Sequence, residues 1–296
     1  MRFSRFLILF FTLFLLSGFT FAQSDDDLSE IQKTIEKDGC ALTDEGQTKI
    51  CKFDYEFGGK TVEALLFRPV ADGKYPAVML IPGYQGTPQR YINWGRTFVK
   101  SGFVAISVGT PGFGKTELEP DFLGKNTIDA YIAGFEKFKK EKLVDADKMG
   151  IFGYSRGAMA TSLMLSRLKR QVKAAVLGGG VYDLKKAYDE VTIEGIKENI
   201  KKETGATEEG FKERSSIYKV KDIESPILIV HGAKDINVPV NQAYLLRDEL
   251  KKQKKDFEIK IFEDKEHSIG PELRPVVIEY FSRKLKGAAA KAVVSK

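Results

Sequence analysis

Residues 149–160 read MGIFGYSRGAMA, an apolar run that meets a glycine, a serine and a second glycine and leaves through small residues. Gly153 and Gly157 bracket Ser155 as G-x-S-x-G. Where a buried strand turns sharply into a helix, this pattern presents the serine hydroxyl at the top of a sheet. Five positions arise by chance, so the rest of the chain has to supply the sheet, a base, a carboxylate and oxyanion donors.

The sheet is legible on both sides of the serine. Short continuous apolar runs, AVMLI at 77–81, FVAISV at 103–108, MGIFG at 149–153, AAVLG at 174–178, ILIVHG at 227–232 and EIKIF at 258–262, alternate with helix-like stretches at 89–101, 127–142, 156–168, 240–254 and 272–286. Runs without polar alternation suit strands buried on both faces, and their alternation with helices predicts a mostly parallel central sheet with flanking helices. Upstream, KICKFDYEF and TVEALLFRP alternate apolar and polar residues around Gly58-Gly59, which predicts a hairpin. Residues 183–225 break the rhythm. They are long and charged, with Ile193, Ile196 and Ile200 striped along a helix, and form either a small helical cap over the sheet's mouth or a decorated loop packing its stripe on the body.

A serine hydroxyl needs a histidine as general base and a carboxylate to hold the imidazole. The chain has two histidines. His231 ends a buried run, where a packing or hydrogen-bonding role is expected. His267 lies in the polar loop EDKEHSIGP and is the better base. Asp235, in HGAKDINVP, follows a strand by a short turn. The order Ser155, Asp235, His267, each beyond the C-terminal end of a parallel strand, is that of the α/β-hydrolase triad. For the oxyanion hole, the N–H of Arg156 opens the helix after the serine. The loop IPGYQG at 81–86 offers the N–H of Tyr84, although Tyr84 and Gln85 also fit as lining residues.

From about Lys49 onward the chain resembles α/β hydrolases of the prolyl-oligopeptidase and dienelactone-hydrolase type, including their acetyl-esterase relatives. The resemblance rests on IPGYQG, GTPGFGKT, GYSRGA, SPILIVHGAKDINVP and KEHSIG. It implies the α/β-hydrolase fold and a serine hydrolase. Two positions depart from the family pattern: Pro82 stands where a histidine often begins the oxyanion loop, and Ala158 where a second glycine often follows Gly157.

The N-terminus reads differently. Arg2 and Arg5 precede the apolar run Phe6 to Leu16, and small residues lead to TFA before QSDDD, the order of a secretory signal peptide over 1–22; an uncleaved anchor is the alternative. A lead-in over 23–48, with Leu28, Ile31 and Ile35 at helical spacing, precedes the hydrolase domain at 49–286, and 287–296 forms a small, basic, flexible tail. Cys40 and Cys51 are the chain's two cysteines. Export favours their pairing as a disulfide over two reduced thiols. Loss of the leader would lower the formal net charge from +6 to +4. The lysine clusters sit among acids as solvated helix faces, so no nucleic-acid partner is expected, nor a stable membrane span after cleavage. No cofactor or metal is expected.

These features point to a secreted or periplasmic serine hydrolase acting on a small-molecule acyl substrate, with carboxylic esters favoured. A peptidase of prolyl-oligopeptidase type lacking the propeller is the alternative. A non-catalytic binding protein on the same fold is a third reading, against which all triad members are present.

Overall fold

The computed structural model describes residues 25–287, so the leader expected at 1–22 and the tail beyond Gly287 lie outside the described residues. Helix α1 (Asp25–Asp38) buries Ile31 and Ile35 and half-buries Leu28, as their spacing predicts. Strand β1 (Cys40–Thr43) follows and pairs antiparallel with β2 (Thr48–Lys52), so the sheet begins within the stretch expected to be lead-in. Cys40 and Cys51 face each other in that register and form a disulfide.

The hairpin expected around Gly58-Gly59 is present but interrupted. Its inner part is the separate ribbon of β3 (Tyr55–Phe57) and β4 (Lys60–Val62), and its outer part pairs β2 with β5 (Ala64–Pro69). Between the two, the Ala64 N–H donates to the Asp54 carboxylate (2.9 Å) instead of a ladder carbonyl. Gly58 and Gly59 both have positive φ, 58° and 73°, which a two-residue turn of this hand requires. The Tyr55 hydroxyl, donating to the Ala130 carbonyl at 2.9 Å, anchors the ribbon to the body.

The remaining chain alternates strand and helix: β6 (Tyr75–Ile81), α2 (Ile92–Lys100), β7 (Val104–Val108), α3 (Lys125–Lys139), β8 (Val144–Tyr154), α4 (Arg156–Leu168) and β9 (Ala174–Gly178). After an insertion come β10 (Ile227–Gly232), α8 (Asn241–Lys252), β11 (Phe257–Phe262) and α9 (Leu273–Lys286). The nine-stranded sheet has the order β1-β2-β5-β7-β6-β8-β9-β10-β11, parallel from β7 to β11 and antiparallel over β1, β2 and β5. This is the α/β-hydrolase fold.

Period-two geometry divides the core. Ala77, Met79 and Ile81 of β6 face a cluster covered by α3, α4 and α8, while Val78 and Leu80 face a second cluster covered by α1, α2 and α9. The central strands therefore read as unbroken apolar runs because both faces are covered.

The insertion folds into α5 (Leu184–Glu190), α6 (Glu194–Thr204), α7 (Glu208–Arg214) and a 3₁₀ turn at Ser216–Asp222. Ile200 is buried in the α3/α4 core, and Ile193 and Ile196 are half-buried against it. Of the two arrangements the sequence left open, the stripe itself packs on the body, while the C-terminal end of α6 reaches the site described below.

The disulfide closes a sequence separation of 11 residues, which should contribute about 3 kcal/mol on the chain-entropy model. Replacing both cysteines by serine is expected to lower the urea midpoint accordingly while leaving turnover intact. Unchanged stability would show that α1 and β1 are held by packing alone.

Candidate active site

Ser155 sits at the junction of β8 and α4 with φ 55° and ψ −124°, outside the region a serine prefers. Such a turn survives only where its surroundings over-determine it. The Ser155 N–H donates to the Gly178 carbonyl at 2.7 Å, and the Ser155 carbonyl accepts from the Ala158 N–H at 2.9 Å. The two motif glycines are needed for space. A Cβ on Gly157 would lie 2.1 Å from the Ile81 carbonyl oxygen, and one on Gly153 would lie 2.2 Å from the Gly157 carbonyl oxygen. Ala158, in place of a second glycine, is fully buried, and its methyl uses room left by Gly180, where a Cβ would approach it to 2.7 Å.

The loops after three other strands converge on this serine. Beyond β11, His267 places Nε2 3.0 Å from Ser155 Oγ and Nδ1 2.7 Å from Asp235 Oδ2. Beyond β10, the Asp235 side chain is fully buried, with Oδ1 accepting from the N–H groups of Asn237 (2.9 Å) and Val238 (2.8 Å). Burial pushes the Asp235 carboxyl up, but hydrogen bonds with His231 and His267 and the Val238 N–H outweigh it and hold the group down at about 2. An ionised Asp235 fixes the His267 hydrogen on Nδ1 and leaves the Nε2 lone pair facing the serine hydroxyl.

Beyond β6, the loop from Pro82 to Gly86 turns at Gln85 (φ 55°) and is closed by the Gly86 N–H donating to Gly83 (3.1 Å). A methyl on Gly83 would stand 3.5 Å from Ser155 Cβ, so the backbone leading into Tyr84 runs alongside the serine. Pro82 has no N–H, but it leaves in place the Tyr84 N–H, the donor expected from the sequence. Arg156 opens α4, where a first-turn N–H has no intrahelical acceptor.

Three contacts were not read from the sequence. The Tyr154 hydroxyl donates to the His267 carbonyl at 2.6 Å, pinning the loop that carries the imidazole. Burial and the nearby Asp235 charge raise the Tyr154 hydroxyl above its ordinary range, so it stays a donor. His231, fully buried, donates from Nε2 to the Val238 carbonyl at 2.8 Å and lies 3.4 Å from Asp235 Oδ2. It supports the turn that holds Asp235 and does not touch the serine. The Arg156 side chain is buried 3.0 Å from Glu203 of α6 and stacks near the Tyr84 and Phe122 rings. Arginine after the serine was legible as a backbone donor, but its buried partner came from an insertion with no readable register.

One cavity opens at the serine and a second lies beside its neighbour Arg156. One of about 660 Å³ is bounded by Gly83, Trp94, Tyr154, Ser155 and Ser268–Pro271. The other, about 220 Å³, lies beside Tyr84 and Arg156, with Phe113, Phe122 and Leu123 as apolar walls and Lys202 at its rim. The stripe of Ile193, Ile196 and Ile200 lines neither cavity.

Because the Asp235 carboxyl is held below its unfolded value, it contributes stability above the unfolded pKa of about 3.9 and loses it as pH falls toward about 2. Asp235→Asn removes this dependence. The stability gap between wild type and the variant is expected to narrow by about 1 kcal/mol between pH 5 and pH 3, measured by urea unfolding. A constant gap would mean that Asp235 is not ionised through these contacts.

Comparison with known proteins bears on the whole arrangement. The model of the prolyl oligopeptidase family matches residues 101–283. Among curated relatives, the uncharacterized peptidase YtmA of Bacillus subtilis (strain 168) is 28% identical over 241 residues, covering 78% of this chain and 91% of that one. Dipeptidyl-peptidase 5 of Porphyromonas gingivalis is 26% identical over 239 residues, covering 71% of this chain but only 33% of that relative's length. Among solved structures, the Pyrococcus horikoshii acylaminoacyl peptidase superposes with a TM-score of 0.70 at 18% identity, covering 81% of this chain and 42% of that one. The acetyl xylan esterase from Paenibacillus sp. R4 gives 0.70 at 14% identity, covering 87% and 93%. At these identities the structural likeness is one of fold. The family match spans more than half of the chain and includes the G-x-S-x-G elbow, Asp235 and His267; this serine hydrolase belongs to the prolyl oligopeptidase family.

Proposed function

We propose that the chain is an exported hydrolase that cleaves short acyl esters through an acyl-enzyme on Ser155. The observation that carries this reading is the continuous hydrogen-bonded line from Ser155 Oγ through His267 Nε2 and Nδ1 to the ionised Asp235. In the first half-reaction His267 takes the serine proton as Oγ bonds to the acyl carbon, and returns it to the departing group as the old bond breaks. In the second, water gives its proton to His267 and its oxygen to the acyl carbon, releasing the acid and restoring Ser155. The N–H groups of Tyr84 and Arg156 receive the oxyanion in both halves; loss of one such donor typically raises a barrier by about 2.7–4 kcal/mol.

Esters are favoured because their leaving group departs easily and because the cavity beside Tyr84 and Arg156 is small. Peptides form the second reading, supported by YtmA, a relative described as a peptidase and matched along 91% of its length. Export is supported by Arg2, Arg5 and the run Phe6 to Leu16, together with the Cys40–Cys51 disulfide. Among the described residues no helix is long and apolar enough to cross a membrane.

A fluorophosphonate probe is expected to label the wild-type chain at Ser155, and Ser155→Ala and His267→Ala should each lower kcat/KM for 4-nitrophenyl acetate by about 10⁴-fold or more while remaining folded. His231→Ala should chiefly lower stability. A folded His267→Ala variant with normal turnover would overturn the assignment of the base. Amide cleavage matching the best ester across acetyl to octanoyl esters and dipeptidyl amides would decide for the peptidase reading.

A further inference from the structure

We propose that the cleft on the His267 side of Ser155 is a subsite for a leaving group that carries a carboxylate. The inference rests on the acyl-hydrolase reading and specifies the half of the substrate that departs. Direction comes from proton transfer: His267 Nε2 must hand its proton to the departing atom, so that group lies on the side of His267. The larger cavity is on this side, bounded by Tyr154 and by Ser268–Pro271, which follow His267 directly in the chain. The acyl part is left to the side of the Tyr84 and Arg156 N–H groups, next to which the smaller cavity lies.

The charges of this cleft are one-sided. Arg90, from the 3₁₀ turn Pro88–Tyr91, and Arg274, from α9, both line it, and no aspartate or glutamate does. Most arginines of the fold contact a carboxylate, such as Arg96 with Asp44 or Arg283 with Glu258. Among the described residues, Arg90 and Arg274 have neither an ion pair nor a side-chain hydrogen bond. Glu272, two residues before Arg274 in the chain, is taken by Lys265 at 2.6 Å. Arg274 instead stacks over Trp94, its guanidinium carbon 5.7 Å from the ring centroid. Two guanidinium groups with no carboxylate partner among the described residues, set against walls of Trp94, Phe152, Ile269 and Leu273, match a carboxylate on an apolar frame, since the planar fork bonds both of its oxygens.

Such a carboxylate belongs either to the C-terminal residue of a peptide or to an aromatic hydroxy acid held in ester linkage. In both, Ser155 Oγ bonds to the acyl carbon as the C–N or C–O bond breaks, the serine proton passes through His267 to the departing nitrogen or oxygen, and the carboxylate stays ionised on the arginines.

The two sources separate in one experiment. In the ester arm, kcat/KM for 3-carboxyphenyl acetate is compared with that for phenyl acetate. In the peptide arm, N-acetyl-Ala-Phe is compared with its C-terminal amide. The carboxylate is expected to raise kcat/KM at least about tenfold in one arm or both. That ratio should fall toward one in the folded Arg90→Gln, Arg274→Gln double variant and at high salt. A ratio near one in both arms, or a preference unchanged in the double variant, overturns the proposal. Failure of the hydrolase reading is distinguished by a measurement that needs no turnover. Trp94 is the chain's single tryptophan, so its fluorescence reports occupancy of the cleft in Ser155→Ala. Phenylacetate should bind at least about tenfold more tightly than phenylacetamide, and lose that advantage in the double variant. Equal binding would sink the subsite even if ester hydrolysis were normal, and selective binding without hydrolysis would keep the subsite while removing the acyl-enzyme.

Discussion

The arrangement around Ser155 depends on how closely α4 approaches the end of β6. At Gly157 the helix backbone comes so near the Ile81 carbonyl that a single methyl would stand 2.1 Å from it. That approach accompanies a turn made within one residue between β8 and α4, at which Ser155 takes a positive φ. It also brings the loop after β6 beside the serine, because β6 and β8 are neighbours in the sheet. A bulkier residue at Gly157 would push the elbow away from Gly83 and separate the nucleophile candidate from the backbone donors proposed to serve it.

The electrostatics follow from this geometry and from burial. Asp235 has no exposed side-chain surface, yet remains ionised because two backbone N–H groups and two imidazoles surround it. His231 and His267 contact the same carboxylate in different ways: one ends a buried strand and braces the turn, the other reaches across to the serine. Arg156 and Glu203 form a separate buried pair, in which burial raises the glutamate and Arg156 and Arg214 oppose that rise. Through this pair the insertion touches the site, at the end of α6 and not through its isoleucine stripe.

Much of this was legible in the chain. The apolar runs at 77–81, 149–153 and 227–232 announced strands covered on both faces, because a doubly buried strand cannot afford alternation. The convergence of Ser155, Asp235 and His267 was legible from their common position just after strands. The interruption at Asp54 was not, since a side chain replacing one ladder acceptor leaves the alternating pattern intact. Nor was β1: four residues with Leu42 63% exposed carry too little periodicity to register as a strand. The fate of the stripe at Ile193, Ile196 and Ile200 was undecided because an amphipathic helix states that one face is covered, not by what. The Tyr154 contact with His267 spans 113 residues, and no local pattern encodes such a distance.

β1 also marks where the sheet ends. Among the described residues no strand pairs with its outer side, and exposed Leu42 adds an apolar foothold there. The edge is blunted by being four residues long and by the bond from Cys40 to Cys51, which keeps it flush with β2. The opposite edge, β11, is guarded by charge, with Glu258 held by Arg283 and Lys260 exposed. The two margins are therefore held by different forces: reducing the Cys40–Cys51 bond would release the first, whereas salt would screen the charges that guard the second.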